Sequence, residues 1–350
     1  MREKDLLARY VYNPPQVRAE ILQTDTPQLF EAAVSRAAKL LQAGEVVALP
    51  TETVYGLAAN ALDAKAVGRI FQIKGRPANN PIIAHVAHLD MAKVCASDWP
   101  PLAERLAKAF WPGPLTLVLP RAKEIPDILT AGGSTVGIRW PSHPFTQAVI
   151  QRCGFPLAAP SANLSNRVSP TNAKHVFKQL GHRIALIVDG GQSQVGIEST
   201  VLDLSCTPSR VLRPGIIHRD ALLAVTGELA GAASPVAGPL KSPGLLPKHY
   251  APRARLIVCA WTNESELRAH LAATGFAAGK IHVIAHTHIP SQQGLASVNV
   301  IPHDAEAFAR AIYSQLHECD DVGAELIIVE AVPETNEWRA VADRLNRAAS

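Results

Sequence analysis

Charge is scarce in this chain. Asp, Glu, Lys and Arg together make up 18% of its 350 residues, below the roughly one quarter usual for globular domains. That excludes a charge-rich disordered or coiled-coil chain. Aromatics are few, at 5%. No window approaches the roughly 20 apolar residues that a membrane-crossing helix needs, so an integral membrane protein is not expected. The start, Met1-Arg2-Glu3-Lys4-Asp5, mixes charges and leads into no apolar run, and no secretory signal is expected. The five cysteines, Cys95, Cys153, Cys206, Cys259 and Cys319, are scattered without a CxxC pair. Neither a zinc site nor a disulfide framework follows, and a reducing, cytoplasmic setting fits. The common chemical signatures are missing too: no P-loop, no glycine-rich dinucleotide turn, no nucleophile elbow and no HExxH zinc helix. His317-Glu318 is followed by Asp321 where the second zinc histidine would stand.

Apolar residues are plentiful, at 47%, and the length suits two domains rather than one. The net charge of +4 allows an anionic ligand but is too small for a nucleic-acid coat. Apolar periodicity predicts a helix over 27–43, capped by Thr26, with Phe30, Ala33, Val34, Ala37, Leu40 and Leu41 on one stripe. A strand over 45–49 follows, then a helix over 63–72 capped by Asp63. Strands are predicted near 81–86, 115–119, 136–140 and 156–159. A helix over 171–180 capped by Thr171 and a strand over 184–188 come next. Interleaved strands and helices imply an α/β domain with a mixed sheet.

The composition changes after this. Gly231 to Gly244 is rich in Ala, Ser, Pro and Gly and reads as a linker. Strands are expected at 255–260, 281–285 and 325–330, with helices at 264–274, 304–318 and 336–347, as in a small doubly wound domain. The boundaries expected are 20–218 for the first domain, 219–253 for a linker or lid, and 254–350 for the second. His282, His286 and His288 have partly metal-like spacing but no further support and read as a solvated strand end. No metal-ligating set is predicted.

Chemistry concentrates in polar loops that follow apolar strands, where open α/β sheets bind ligands. Pro50-Thr-Glu-Thr-Val-Tyr-Gly-Leu57 offers hydroxyls and a carboxylate. Lys74-Gly-Arg-Pro77, followed by Asn79-Asn80, places two cations one residue apart, a point charge and a bidentate fork for phosphates. Ser134-Thr135 leads into a strand carrying Arg139, suited to a substrate carboxylate. Pro160-Ser161-Ala-Asn163, then Ser165, Asn166 and Ser169, supplies hydroxyls and amides. Gly196-Ile-Glu-Ser199-Thr200 and Leu212-Arg213-Pro-Gly215 complete the set. Alone, each of these loops is also an ordinary turn, cap or surface ion pair. Together they suit a polyphosphate ligand and a small carboxylate-bearing one.

These strings, with Phe110-Trp-Pro-Gly-Pro-Leu-Thr116, Ser242-Pro-Gly244 and Lys248-His-Tyr-Ala-Pro252, closely resemble the YrdC-like family in its two-domain form, the threonylcarbamoyl-AMP synthases. The resemblance runs from about residue 20 to the end, where 339–349 looks like that family's last helix. It implies a twisted mixed sheet with helices around a basic groove, plus a smaller Rossmann-like parallel α/β domain. It implies a nucleotidyltransferase that makes L-threonylcarbamoyladenylate from L-threonine, bicarbonate or CO2, and ATP, releasing pyrophosphate. That product would pass to the machinery that modifies tRNA at position 37. Direct tRNA binding is compatible with this reading but has little support in the sequence. By the resemblance, Thr53, His85, Arg139, Ala159 and Ser199 bind threonine. Arg76, Asn80, Thr135, Ser161, Asn163, Ser169, Arg213 and Tyr250 bind ATP, with Mg²⁺. Lys74 and Arg76 are the implied catalytic cations. Read from its spacing alone, His85 is a strand histidine in the core. Leu245-Leu246-Pro247 departs from the family's more polar linker. The rival reading is an RNA-binding module without catalysis. The mild charge and the lack of a basic stripe with interleaved aromatics weigh against it.

Overall fold

The computed structural model describes residues 18–231, 240–244 and 249–350. It divides into two compact units. The first comprises residues up to 165, 170–194 and 198–245. The second comprises 246–350 together with 166–169 and 195–197.

Among the described residues the first unit carries one sheet. In chain order its strands are β1 (Glu20–Gln23), β2 (Val47–Leu49), β3 (Gly56–Asn60), β4 (Ala84–His85), β5 (Leu115–Pro120), β6 (Thr135–Arg139), β7 (Leu157–Ala158), β8 (Leu186–Asp189), β9 (Thr200–Asp203) and β10 (Arg210–Arg213). Their order across the sheet is β1-β8-β2-β3-β7-β4-β6-β5-β9-β10. The pairings are mixed. β4 runs parallel to β6 and antiparallel to β7, and β5 is antiparallel to β6 and parallel to β9. This is the expected mixed α/β architecture.

Helix α1 (Pro27–Gln42) starts as predicted: the Thr26 hydroxyl accepts from the Leu29 amide at 3.2 Å, and Pro27 occupies the first turn. It buries Ala33, Val34, Ala37, Ala38 and Leu41. Phe30 meets Phe145 edge to face, with ring centroids 5.2 Å apart, a geometry worth about 0.5–1.5 kcal/mol beyond area burial. Helix α2 (Ala64–Lys74) is capped by Asp63 and ends on Gly75 in the left-handed region, φ 60°. A Cβ there would meet nothing within 4 Å, so the glycine serves the backbone turn rather than a close contact. That turn sends both Lys74 and Arg76 into the interior, where they are 2% and 5% exposed.

Two expectations shift for physical reasons. The strand over 81–86 shortens to Ala84–His85. Pro81 has no amide to donate, and its carbonyl accepts from Arg76 at 2.7 Å instead of joining a ladder. The helix predicted from Thr171 begins at Ala173 with Asn172 as its cap, because the Thr171 hydroxyl turns to His175 and its carbonyl accepts from Ser193. Part of the stretch expected as linker, Arg219–Thr226, is a helix that buries Leu222. The remainder of that expectation falls partly on 232–239 and 245–248, outside the described residues.

The second unit holds strands β11 (Arg255–Cys259), β12 (Ile281–Ala285), β13 (Ser297–Val300) and β14 (Leu326–Glu330), all parallel, in the order β11-β14-β12-β13. Helices Glu264–Thr274, Ala305–Asp321 and Arg339–Ala349 accompany them. Of the three histidines expected at a solvated strand end, His288 is exposed, but His282 and His286 are buried. His286 packs against Phe308, Trp338 and His303, with ring centroids at 5.7, 5.6 and 4.9 Å. Beneath it, Glu330 accepts from the amides of His286, Thr287 and His288 at 2.7–3.0 Å. Burial pushes the Glu330 carboxyl up, but these donors outweigh it and hold the group below the usual carboxylate range.

Candidate active site

The register of the short central strands aligns two predicted residues. His85 and Arg139 are direct neighbours across β4 and β6, and His85 also faces Leu157 across β7. Arg139, 4% exposed, donates through Nη2 to the Thr53 hydroxyl at 2.9 Å. The same nitrogen lies 2.7 Å from Glu52 Oε1. The loop that carries Thr53 and Glu52 is fixed by its own hydroxyls. Thr51 Oγ1 donates to the Val54 carbonyl at 2.6 Å and lies 2.9 Å from Thr53 Oγ1, while Ser193 donates to the Thr51 carbonyl at 3.0 Å. His85 Nδ1 lies 3.3 Å from the Ile83 carbonyl. A carbonyl only accepts, so Nδ1 bears the proton and Nε2 keeps a lone pair. Ala159 follows directly on β7, with its amide donating to the same Ile83 carbonyl at 3.2 Å.

A second cluster surrounds Lys74. Its Nζ donates to the Ser161 carbonyl at 2.5 Å, the Asn163 carbonyl at 2.6 Å and Asn163 Oδ1 at 3.1 Å. Ser161 Oγ donates to that Oδ1 at 2.5 Å. Burial, and then the neighbouring Arg76 charge, push the Lys74 ammonium well below its ordinary pKa, with Glu198 opposing them. Arg76 donates to the Asn80 carbonyl and to Asn80 Oδ1 at 2.9 and 2.7 Å. Asn80 is fully buried, and its amide nitrogen has no partner.

Ser199 and Arg213 form a third group. Arg213 donates to the Ser199 carbonyl and hydroxyl, each at 3.1 Å, and to the Pro243 carbonyl at 3.3 Å. The Ser199 hydroxyl lies 2.8 Å from that of Thr116. Gly215 lies flat against this turn: a Cβ there would stand 2.4 Å from the Thr200 amide nitrogen. Thr135 stands apart, at the opposite end of β6 from Arg139, about 13 Å along a strand of this rise. Ser169 and Tyr250 belong to the second unit. There the Ser169 carbonyl accepts from His317 Nε2 at 3.1 Å. Tyr250, 1% exposed, stacks on Tyr313 with Arg344 5.4 Å above its ring.

Comparison with known proteins identifies the family. A family model described as "Telomere recombination" matches residues 39–215. A second, described as "Threonylcarbamoyl-AMP synthase, C-terminal domain", matches 217–350. The threonylcarbamoyl-AMP synthase of Bacillus subtilis is 40% identical over 337 residues, covering 94% of each chain. That of Pyrococcus abyssi is 40% identical over 321 residues, covering 89% of this chain and 92% of its own. The chain belongs to the threonylcarbamoyl-AMP synthase family. The crystal structure of P. abyssi Sua5 complexed with L-threonine superposes on this family member with a TM-score of 0.86 at 38% identity, covering 95% of this chain and 98% of that one.

Sequence reasoning gave no role to several residues that shape this synthase-family site. Glu52 lies inside a quoted motif, yet its contact with Arg139 spans distant strands and leaves no local spacing to read. Thr116 also lies in a quoted string, and only the pairing of β5 with β9 brings it to Ser199. Glu198, 7% exposed, is drawn inward beside Ser199.

The His85 environment carries a pH prediction. Burial, and then the Arg139 charge, lower its pKa to about 3. The folded state thus resists a proton that the unfolded chain takes up near its ordinary pKa of about 6.5. This contribution is absent as a penalty above pH 6.5 and grows as pH falls towards 3, at up to about 1.4 kcal/mol per pH unit. In denaturant melts over this range, the wild type is expected to lose stability more steeply than His85→Gln as the pH falls. Parallel curves would contradict it.

Proposed function

We propose that this chain makes L-threonylcarbamoyladenylate from L-threonine, bicarbonate or CO2, and ATP, and releases pyrophosphate. The observation that best supports the reading is Arg139, a buried guanidinium whose Nε has no partner, beside the Thr53 hydroxyl. It is an open donor for a substrate carboxylate. The amine of threonine adds to CO2 and loses a proton, giving a carbamate. A carbamate oxygen then attacks the α-phosphorus of ATP, the bond to the β-phosphate oxygen breaks, and pyrophosphate leaves with the electron pair. Such transfers need in-line placement and neutralised oxygens more than covalent help. Arg76, Asn80, Ser161, Asn163 and Arg213 are the groups proposed to hold the nucleotide, with Thr135, Ser169 and Tyr250 as further candidates. Lys74 fixes the 161–163 turn and adds positive field. His85, Ala159 and Ser199 are proposed to line the amino acid. His85 is neutral and offers Nε2 to the threonine hydroxyl.

Magnesium is proposed to enter with ATP. No three His, Cys, Asp or Glu side chains converge as a metal-binding set among the described residues. That suits an ion held mainly by phosphate oxygens and water, where it would neutralise their charge. The adenylate is proposed to pass to the tRNA threonylcarbamoyl-transfer machinery in the cytoplasm. No helix among the described residues is long and apolar enough to cross a membrane.

Pyrophosphate release by purified protein tests the reading. Release that requires both L-threonine and bicarbonate is expected, and release without either would overturn it. A buried hydrogen-bonding site for the hydroxyl discriminates strongly against a ligand that lacks it, by up to about 10⁴-fold. Valine is therefore expected to be rejected more strongly than serine. Comparable turnover with valine would contradict the pocket.

A further inference from the structure

The Glu52 carboxylate has no task in the scheme above, and its surroundings are unusual. It is 4% exposed, and neither of its oxygens carries an aligned hydrogen bond. Arg139 Nη2 forms an ion pair with Oε1 at 2.7 Å, while its aligned hydrogen bond runs to the Thr53 hydroxyl. The nearby hydroxyls are spent on one another and on the Val54 carbonyl. His143 is the other titratable group that feels the Glu52 charge, and burial keeps its pKa below the ordinary value in spite of that charge. A buried carboxylate normally accepts several hydrogen bonds, because leaving it without them is costly. Here its open lone pairs lie next to the open Nε donor of Arg139.

An α-amino acid has the complementary pattern. Its carboxylate and its amino group sit on one carbon, so an acceptor adjoining a donor matches both at once. We infer that Glu52 receives the amino group of the amino-acid substrate while Arg139 receives its carboxylate. The inference rests on the proposed function and adds a binding residue to it. Glu52 orients the nitrogen that is to be carboxylated, and it selects amino acids over hydroxy acids of the same shape.

Calorimetric titration of the full chain tests this with two ligands, L-threonine and 3-hydroxybutyrate, which lacks only the amino group. Glu52→Gln is expected to weaken L-threonine at least about tenfold, the worth of a charge-assisted hydrogen bond. It should leave 3-hydroxybutyrate unchanged, read by competition where binding is weak. Equal losses for both ligands would assign Glu52 to the scaffold alone and overturn the inference, as would no loss for L-threonine. If Glu52→Gln fails to fold, Glu52→Asp is read in the same way, with selective loss of L-threonine supporting and matched loss overturning. A wild-type chain that binds no L-threonine at all would instead overturn the proposed function, which separates the two failures.

Discussion

Arg139→Ala is expected to abolish threonine-dependent pyrophosphate release, with kcat/KM falling about a thousandfold or more. Two losses combine. The substrate carboxylate loses its guanidinium partner, and a buried charged hydrogen bond is among the strongest single contacts a site offers. The variant also strands the Glu52 carboxylate, 4% exposed, without its neighbouring positive charge. Removing one member of a buried pair costs about 3–5 kcal/mol, so the melting temperature should fall markedly as well. The two effects can be separated. Arg139→Ala combined with Glu52→Gln removes the stranded charge, and it should recover much of the stability and none of the activity. A single variant that keeps both its melting point and its turnover would contradict the account.

Lys74→Ala has the second largest expected effect, and its origin differs. The three donors of Lys74 hold the carbonyls of Ser161 and Asn163 and the Asn163 side chain. Alanine removes the charged donor that those acceptors share, and weakening buried acceptors in this way costs about 1–3 kcal/mol before water enters the gap. A net destabilisation of about 2–3 kcal/mol is expected. A drop of more than a hundredfold in pyrophosphate release should accompany it, because the 161–163 turn loses its anchor. Lys74→Arg should not rescue it. A planar fork cannot satisfy acceptors arranged around a point charge at a site only 2% exposed. Full rescue by arginine would show that positive charge alone is needed there.

Much of the fold could be read from local chemistry. Thr26, Pro27 and Asp63 announced helix starts because caps are written in neighbouring residues. What failed was non-local. Pro144–Cys153 and Leu89–Cys95 are helices that the sequence reading did not single out. Strands β4 and β7 fall inside the predicted strands near 81–86 and 156–159, but each is two residues long, too short for periodicity to fix its ends or its partners. Their importance lies in register alone, since they set His85 beside Arg139. The candidate site followed the same rule. Lys74, Arg76 and Arg139 stood out as cations in motifs. The open carboxylate of Glu52 became visible only when the fold set the loop after β2 against the end of β6. In the second unit, His286 read as solvated because spacing cannot show that Trp338 and Phe308 cover it.

The cations of the first unit have a consequence for how it meets its surroundings. Lys74, Arg76, Arg139 and Arg213 are each no more than 5% exposed, so mobile salt ions cannot gather around them. Screening over a Debye length of about 8 Å at physiological ionic strength acts on charges that face solvent. The positive field here is sealed behind carbonyl oxygens and persists in salt that would erase a basic surface patch. A polyanion is recognised only once it has entered, and long phosphate backbones passing outside meet little of that charge.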